Sequence, residues 1–168
     1  LSVEELLYAA TLVETDAEKD AIYKKTTALY PKDYRAFNNL AQMAYAKGDY
    51  ATAKSYLEKA LAVNPAAAEA NTNLGMIALV EGNAALAENY LAKGTEAAAS
   101  ETALGNLYIA QGQYDRAVNA FGDTKSNAAA LAQIMAKNYT KAKTTIDAIE
   151  TPEDAIAAIR DCESAYRR

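Results

Sequence analysis

Residues 34–67 read YRAFNNLAQMAYAKGDYATAKSYLEKALAVNPAA, two runs of helix-forming residues separated by a short turn at Gly48. In the second run, Ala53, Leu57 and Ala60 recur every three or four residues, so one side of the predicted helix is apolar. A helix of this kind needs a neighbour that covers its apolar side. The stretch therefore predicts a helical hairpin that packs against other hairpins.

The turn of this hairpin recurs along the chain. Glycine follows the end of a predicted helix at Gly48, Gly82 and Gly112, with the second interval slightly shorter than the first, and a fourth copy of the turn has Lys137 in place of glycine. A left-handed backbone conformation closes the helix at this position, and glycine adopts it at little cost. Each copy therefore predicts a helix, a tight turn and a second helix. About five such copies in series would cover one another's apolar sides.

Small and large residues occupy fixed places in these copies. The best copy carries Phe37, Leu40, Ala41, Ala53, Leu57, Ala60 and Pro65; the next two carry Leu74-Gly75, Ala87 and Leu91, then Leu104-Gly105, Tyr108, Ala117 and Phe121. This pattern resembles the tetratricopeptide repeat, in which a large residue, Leu-Gly and an aromatic on the first helix pair with Ala, Phe and a closing Pro on the second. The resemblance implies an all-α fold, a right-handed α/α superhelix of about five helical hairpins with shortened later copies and a C-terminal helix.

We expect one repeat domain over residues 1–168. Its repeats are predicted at 1–33, 34–67, 68–98, 99–125 and 126–150, and its C-terminal helix at 151–168. First helices are predicted near 2–13, 34–47, 67–81, 100–111 and 127–136, and second helices near 17–30, 50–63, 84–93, 114–121 and 139–149. The last helix begins with a cap residue, a proline and two acidic residues, Thr151-Pro152-Glu153-Asp154. It fits either a cap over the last hairpin or the first helix of a further repeat.

Composition argues against several classes of function. The chain has 168 residues, no histidine, a single cysteine and a net charge of −5. Without histidine, Ser-His and Cys-His catalysis and a Cys/His zinc site are excluded, and the sequence contains no phosphate-binding glycine loop or other cofactor motif. The negative charge opposes nucleic-acid binding, and no apolar run approaches the roughly 20 residues that cross a bilayer. We therefore predict a non-enzymatic protein without cofactor or metal that binds a protein or peptide and does not insert into membranes.

The family resemblance also implies where a partner would bind. First helices line the concave side of such arrays, and their exposed positions correspond here to Arg35, Asn38, Asn39, Gln42, Tyr45, Thr72, Asn73, Met76, Leu79, Asn106 and Ile109. Amides, one guanidinium and apolar groups together suit a peptide backbone and its side chains. Arg35, Asn38 and Gln42 are the favoured contacts. Asn39 and Asn73 have a second interpretation as structural residues, since asparagine is common at that repeat position in the family.

Other functions stay open at this point. The array would also serve as a structural spacer or as a self-assembly element of a larger envelope protein. Residues 4–10, followed by Tyr30-Pro31 and Arg35-Ala36, resemble repeat segments of cell-envelope proteins of Gram-negative bacteria, which favours the periplasm over the cytoplasm. A chaperone-type site for a C-terminal carboxylate is not indicated, because Asn38, Gln42 and Ala103 stand where that subtype has other polar and basic residues.

Overall fold

The computed structural model describes residues 1–149 and Arg160, and these residues form helices and no strand. The helices are α1 (Val3–Leu12), α2 (Asp16–Leu29), α3 (Arg35–Ala46), α4 (Tyr50–Val63), α5 (Ala68–Val80), α6 (Ala84–Lys93), α7 (Ala98–Ala110), α8 (Tyr114–Phe121), α9 (Asn127–Met135) and α10 (Tyr139–Asp147). The all-α prediction is confirmed, and each helix predicted between residues 2 and 149 is present with ends within about two residues of the prediction, the ordinary uncertainty of helix ends. The predicted C-terminal helix at 151–168 lies outside the described residues except for Arg160, which is helical and exposed.

The helices fall into two compact units. Unit 1, Leu1–Ala97, contains α1 to α6, and unit 2, which begins at Ala98, contains α7 to α10. Consecutive helices pair as hairpins, so we call α1, α3, α5, α7 and α9 the first helices and the others the second helices. Within unit 1, α2 also packs on α3 and α4 on α5; within unit 2, α8 packs on α9. Each hairpin therefore covers part of the apolar side of the next one in its unit.

The glycine turns share one backbone geometry. Gly48, Gly82 and Gly112 have φ values of +75°, +76° and +71°, as predicted for a left-handed helix end. At the first of these turns, the amide of Asp49 donates a hydrogen bond of 3.0 Å to the carbonyl of Ala44. The Asp49 side chain then accepts a hydrogen bond from the amide of Thr52 and caps α4. The same short segment thus ends one helix and begins the next.

Small residues let the two helices of a hairpin approach closely. A methyl group at Gly75 would lie 2.6 Å from Leu91 Cγ, and one at Gly105 would lie 2.5 Å from Phe121 Cζ. Both distances are well inside van der Waals contact, so these positions have no room for a side chain. The hairpins α5–α6 and α7–α8 therefore depend on glycine at the point where their helices cross.

The first hairpin departs from this pattern. Its turn contains no glycine: Val13 is extended, and Thr15 caps α2 in a capping box with Glu18. Counted from the cap residue, Lys19 and Tyr23 occupy the positions that alanine and leucine hold in α4. At these positions α2 therefore presents larger and more polar side chains than the second helices that follow it.

Candidate interaction site

The predicted contact residues lie on first helices of both units. Nine of them, Arg35, Asn38, Asn39, Gln42, Tyr45, Thr72, Asn73, Met76 and Leu79, are on α3 and α5 of unit 1, and these two helices pack against each other. The remaining two, Asn106 and Ile109, are on α7 of unit 2, where Asn106 is exposed and Ile109 is half-buried. The structure thus brings the residues of unit 1 together on one pair of neighbouring helices.

Arg35 is held by carboxylates of its own chain. Its guanidinium donates to Asp33, with 2.7 Å between Nη2 and Oδ2, and to Glu4 of α1, with 2.8 Å between Nη2 and Oε1. The hydrogen bond from the Arg35 side chain holds the pKa of Asp33 below its ordinary value, and the two carboxylates raise the pKa of Arg35. The guanidinium therefore ties α3 to α1, and its charge is compensated within the protein.

Asn38 and Thr72 are buried rather than displayed. Asn38 is 6% exposed, and its Oδ1 accepts a hydrogen bond of 2.9 Å from Nδ2 of Asn73, which joins α3 to α5. Thr72 is 5% exposed, and its hydroxyl donates to the carbonyl of Ala68 one turn earlier. Separating this pair would leave the buried amide of Asn38 without its partner, which is costly. Asn38, Asn73 and Thr72 thus bind groups of their own chain. For Asn73, such a structural role was the second interpretation offered by the sequence.

The remaining residues of unit 1 differ in exposure. Gln42 is exposed, and Asn39, Met76 and Leu79 are half-buried. Tyr45 is also half-buried, and its ring lies 5.3 Å from the ring of Tyr50, so it is fixed against the start of α4. Gln42 is therefore the predicted residue of unit 1 most available to a partner, and Asn39, Met76 and Leu79 are partly accessible.

The structure adds exposed apolar residues that the sequence analysis did not select. Leu12 at the end of α1 is 65% exposed and Val80 at the end of α5 is 53% exposed, with the exposed Ala46 at the end of α3 midway between them along the chain. Because the three are equally spaced, they occupy one repeat position, and we call them the apolar row.

Tyr8, Gln42 and Met76 form a second set with the same spacing, and Tyr8 is 65% exposed. Counting back along the chain from Ala46 and Gln42 by the number of residues that separates Gly48 from Gly82 gives Leu12 and Tyr8. The repeat spacing in the sequence was therefore the signal that could have found them.

We refer to these residues together as the first-helix face of unit 1. It consists of Tyr8, Leu12, Gln42, Ala46, Met76 and Val80. Large apolar side chains are normally hidden, and a run of them at the same position of successive helices marks a surface that another molecule covers.

A cavity of about 340 Å³ adjoins this face between α2 and α3. It is lined by Asp16, Lys19, Tyr23, Asn39, Gln42, Met43, Ala46 and Lys47. Its α2 wall is formed by Asp16 together with Lys19 and Tyr23, the two residues that replace small and aliphatic residues of later repeats. The cavity is large enough for one or two side chains of a bound peptide.

A second cavity, of about 390 Å³, lies in unit 2. It is lined by residues 112–116, which cover the α7–α8 turn and the start of α8, and by residues 135–137 at the end of α9. One of its walls is held by Arg116, whose guanidinium stacks 4.2 Å from the centroid of the Tyr108 ring and donates to the Tyr108 hydroxyl. This cavity lies beside turns rather than along a row of first helices.

Other features of the described residues bear on what the site can do. Each helix of residues 1–149 is too short or too polar to cross a membrane. In the same part of the chain, no group of three or more histidine, cysteine, aspartate or glutamate side chains is placed to hold a metal ion. The groups that line the first-helix face are amides, a phenol and aliphatic side chains, which bind by hydrogen bonds and burial.

Stacked helical hairpins with exposed first-helix side chains define an all-α repeat protein. Tetratricopeptide-repeat models match residues 19–53, 44–107 and 102–124, so the matches run without a gap from 19 to 124. Residues 19–124 belong to the tetratricopeptide-repeat family, whose fold is a general protein-interaction module.

Solved structures of other proteins share this fold. PilF of Pseudomonas aeruginosa is 21% identical, covers 86% of this chain and 73% of its own, and superimposes with a TM-score of 0.67. PilW, described as a widely conserved type IV pilus biogenesis factor, is 16% identical over 98% of this chain and 89% of its own, with a TM-score of 0.61. YrrB, described as a tetratricopeptide-repeat protein with an unusual peptide-binding site, is 18% identical over 99% of this chain and 89% of its own, with a TM-score of 0.57. Among curated protein sequences, none matches the chain.

Proposed function

We propose that this protein is a non-enzymatic interaction module that binds a segment of another protein across the first-helix face of unit 1. One observation carries the proposal: three successive first helices expose an apolar side chain at the same repeat position, Leu12, Ala46 and Val80. At a second position, Tyr8 and Gln42 are exposed and Met76 is half-buried. The hydrophobic core between α3, α4 and α5 contains none of these side chains. Their coverage by a partner would remove apolar surface from water.

Polar groups of the face and of the adjoining cavity support the same proposal. Gln42 and Asn39 can each donate to and accept from a peptide backbone, and both lie beside the cavity. Met76 is a flexible apolar side chain that adapts to irregular surfaces. The peptide-binding site of YrrB belongs to that protein, and it supports the proposal only by showing that the shared fold can hold a peptide.

Arg35 and Asn38, which the sequence favoured as partner contacts, are given a different role in this proposal. We propose that they position α1, α3 and α5 rather than contact the partner, because their polar groups bind Glu4, Asp33 and Asn73. A substitution at either residue would change stability as well as binding. They are therefore poor test positions for the face.

Site-specific photo-crosslinking tests the proposal. A photoreactive phenylalanine analogue at Gln42 should give covalent partner adducts in cells, and the same analogue at Glu58, an exposed residue of the second helix α4, serves as the matched control. Adducts that form at Gln42 and not at Glu58 support the face. Equal adducts at both positions, or adducts only at Glu58, contradict it.

Self-assembly is the second candidate, and exposed residues of the first hairpin favour it. Leu1, Tyr8, Leu12 and Leu29 are 79%, 65%, 65% and 56% exposed, more than half of the exposed large apolar residues of the described chain. A second copy of the chain could bury these residues just as effectively as a peptide from another protein. Light scattering separates the two functions. Self-assembly requires the mean molecular mass to rise with protein concentration. Replacement of Leu12 and Leu29 by serine should return this mass to that of a single chain.

A further inference from the structure

Carboxylates surround the N-terminal end of α3 at one edge of the first-helix face. Glu4 and Asp33 bind Arg35, and Glu69 of α5 accepts a hydrogen bond of 3.4 Å from the hydroxyl of Tyr34. Glu5 follows Glu4 on α1, and its carboxylate accepts a hydrogen bond from the backbone amide of Ser2. Four carboxylates and one guanidinium leave an excess of three negative charges. We call Glu4, Glu5, Asp33 and Glu69 the acidic edge.

Basic residues lie at the opposite end of the same face. Lys47 follows the last residue of α3, and Lys19 lines the cavity beside it. Glu81, which caps α5, is already paired with Lys54 at 2.7 Å. Asp16 lines the same cavity, so Lys19 and Lys47 stand with one carboxylate there. The excess of negative charge therefore lies at the acidic edge, where the first helices begin.

The dimensions of the face suit a helical peptide. Leu12 lies eight residues beyond Glu4 on α1, which corresponds to about 12 Å along the helix at 1.5 Å per residue. An α-helix with its side chains is about 10–12 Å wide, so one helix can touch both the acidic edge and the apolar row. Three packed first helices span about 20 Å at 8–10 Å between axes, the length of about 13 helical residues.

We propose that the partner segment is a basic amphipathic helix of about four turns, whose apolar side covers Leu12, Ala46 and Val80 and whose lysine or arginine side chains face the acidic edge. This inference rests on the proposed function and adds the chemistry of the partner. A second copy of the chain is disfavoured as the occupant, because each copy carries a net charge of −5 and the same acidic edge. An acidic peptide would meet the same repulsion.

Binding of three designed peptides to the full chain tests this inference. Each peptide has a length of about four helical turns, identical leucine positions on one helical side, and lysine, glutamine or glutamate along one flank. Fluorescence anisotropy should give the tightest binding for the lysine peptide, at least about tenfold tighter than for the glutamate peptide. The difference between the two should shrink as salt is raised from about 50 to 500 mM, because the charges involved are exposed.

Two sets of variants locate the contacts. Leu12→Ser with Val80→Ser should weaken all three peptides about tenfold or more, whereas Leu29→Ser, which changes a residue of similar exposure on the second helix α2, should change none of them. Glu4→Gln with Glu69→Gln should weaken the lysine peptide and leave the glutamine peptide unchanged. Glu58→Gln, on α4, is the matched control for charge and should have no effect.

The outcomes separate this inference from the proposed function. Equal affinities for lysine and glutamine peptides that both depend on Leu12 and Val80 would overturn the basic partner and leave the face intact. Tighter binding of the glutamate peptide than of the lysine peptide would also overturn the basic partner. Self-association that Leu12→Ser with Val80→Ser abolishes would overturn it too, because the face would then bind a second copy of the chain. If Leu12→Ser with Val80→Ser left the affinity for all three peptides unchanged, both proposals would be overturned.

Discussion

At the scale of single residues, Lys137 occupies a position that glycine holds in the preceding turns. Its φ of 63° lies in the left-handed region, and it is the non-glycine residue of residues 1–149 with this geometry. The turn is nevertheless closed in the same way, because the amide of Asn138 donates a hydrogen bond of 2.7 Å to the carbonyl of Gln133. The hydrogen-bonded turn thus holds lysine in a conformation that costs an L-residue about 1 kcal/mol.

Replacement of Lys137 by glycine should therefore stabilise the protein. Glycine removes the left-handed strain but adds freedom to the unfolded chain, so we expect a net gain of about 0.5–1 kcal/mol in the free energy of unfolding. Urea unfolding followed by circular dichroism measures it. Gly112→Ala is the converse control and should lose about 1 kcal/mol, since Gly112 has a φ of +71°. A loss of stability on Lys137→Gly would contradict this explanation of the turn.

The carboxylate of Asp33 gives stability a defined dependence on pH. Its hydrogen bond from Arg35 lowers its pKa below the ordinary value of 3.8 in the folded state. The folded protein thus binds this proton less readily than the unfolded chain, so the contribution of Asp33 is complete above about pH 4 and is lost as pH falls through the lowered pKa. It is a partly exposed ion pair, which is worth about 1 kcal/mol or less.

Asp33→Asn should therefore lower the free energy of unfolding at pH 7 by up to about 1 kcal/mol, and the difference from the native protein should fade as pH falls through the lowered pKa of Asp33. Urea unfolding at several pH values between about 2 and 7 gives this comparison. Asp123→Asn, an exposed carboxylate of unit 2, is the control. A difference that stays constant across the whole pH range would show that Asp33 acts through its shape rather than its charge.

At the scale of helices and hairpins, the close approach of first and second helices is set by pairs of residues. Gly105 faces the Phe121 ring and Gly75 faces Leu91, whereas Ala41 stands at the corresponding position of α3, where the second helix offers Leu57. An alanine is thus compatible with leucine opposite it in one hairpin, and the phenylalanine of α8 requires glycine. Leucine therefore stands opposite alanine in one hairpin and opposite glycine in another, whereas the larger phenylalanine stands opposite glycine.

Gly105→Ala should destabilise unit 2 by about 1–3 kcal/mol, because a methyl group would overlap the Phe121 ring and force it out of place. The double variant Gly105→Ala with Phe121→Leu recreates the pair found in α3 and α4 and should recover part of the loss. Thermal unfolding of the single and double variants provides the comparison. If the second substitution only added to the loss of the first, the two residues would not be coupled through this contact.

The helices could be predicted from the sequence because their signals are local. Gly48 and Asp49 stand side by side in the chain, and one ends a helix while the other starts the next. The roles of Arg35 and Asn38 could not be predicted in this way. Their partners Glu4 and Asn73 are distant along the chain, so only the stacking of hairpins brings them together. The residues expected to face a partner lie on first helices, and two of them, Asn38 and Asn73, bind each other.

At the scale of the whole molecule, the described helices divide into two compact units, and the proposed face belongs to unit 1. This unit has three hairpins, about the number that a repeat array needs for stability. Its acidic edge, its apolar row and the adjoining cavity all come from α1, α2, α3 and α5 with their flanking residues. Folding and binding should therefore both be properties of residues 1–97.

A fragment of residues 1–97 should fold by itself and unfold in a cooperative transition. The prediction rests on the core formed between α3, α4 and α5, which contains Leu57 and Ile77 at 0% and 1% exposure. Circular dichroism during thermal unfolding would give the transition. A helical signal that declines gradually, with no transition, would mean that unit 1 needs the rest of the chain.

The interaction face itself is tested most directly by NMR of the isotope-labelled protein during titration with the lysine peptide. The account predicts that the largest chemical-shift changes fall on Tyr8, Leu12, Gln42, Ala46, Met76 and Val80, along three successive first helices. Residues on the second helices α4 and α6, such as Glu58 and Leu86, should change little. Shift changes concentrated on α4 and α6, with α1, α3 and α5 unaffected, would contradict the claim that the first helices of unit 1 form the binding surface.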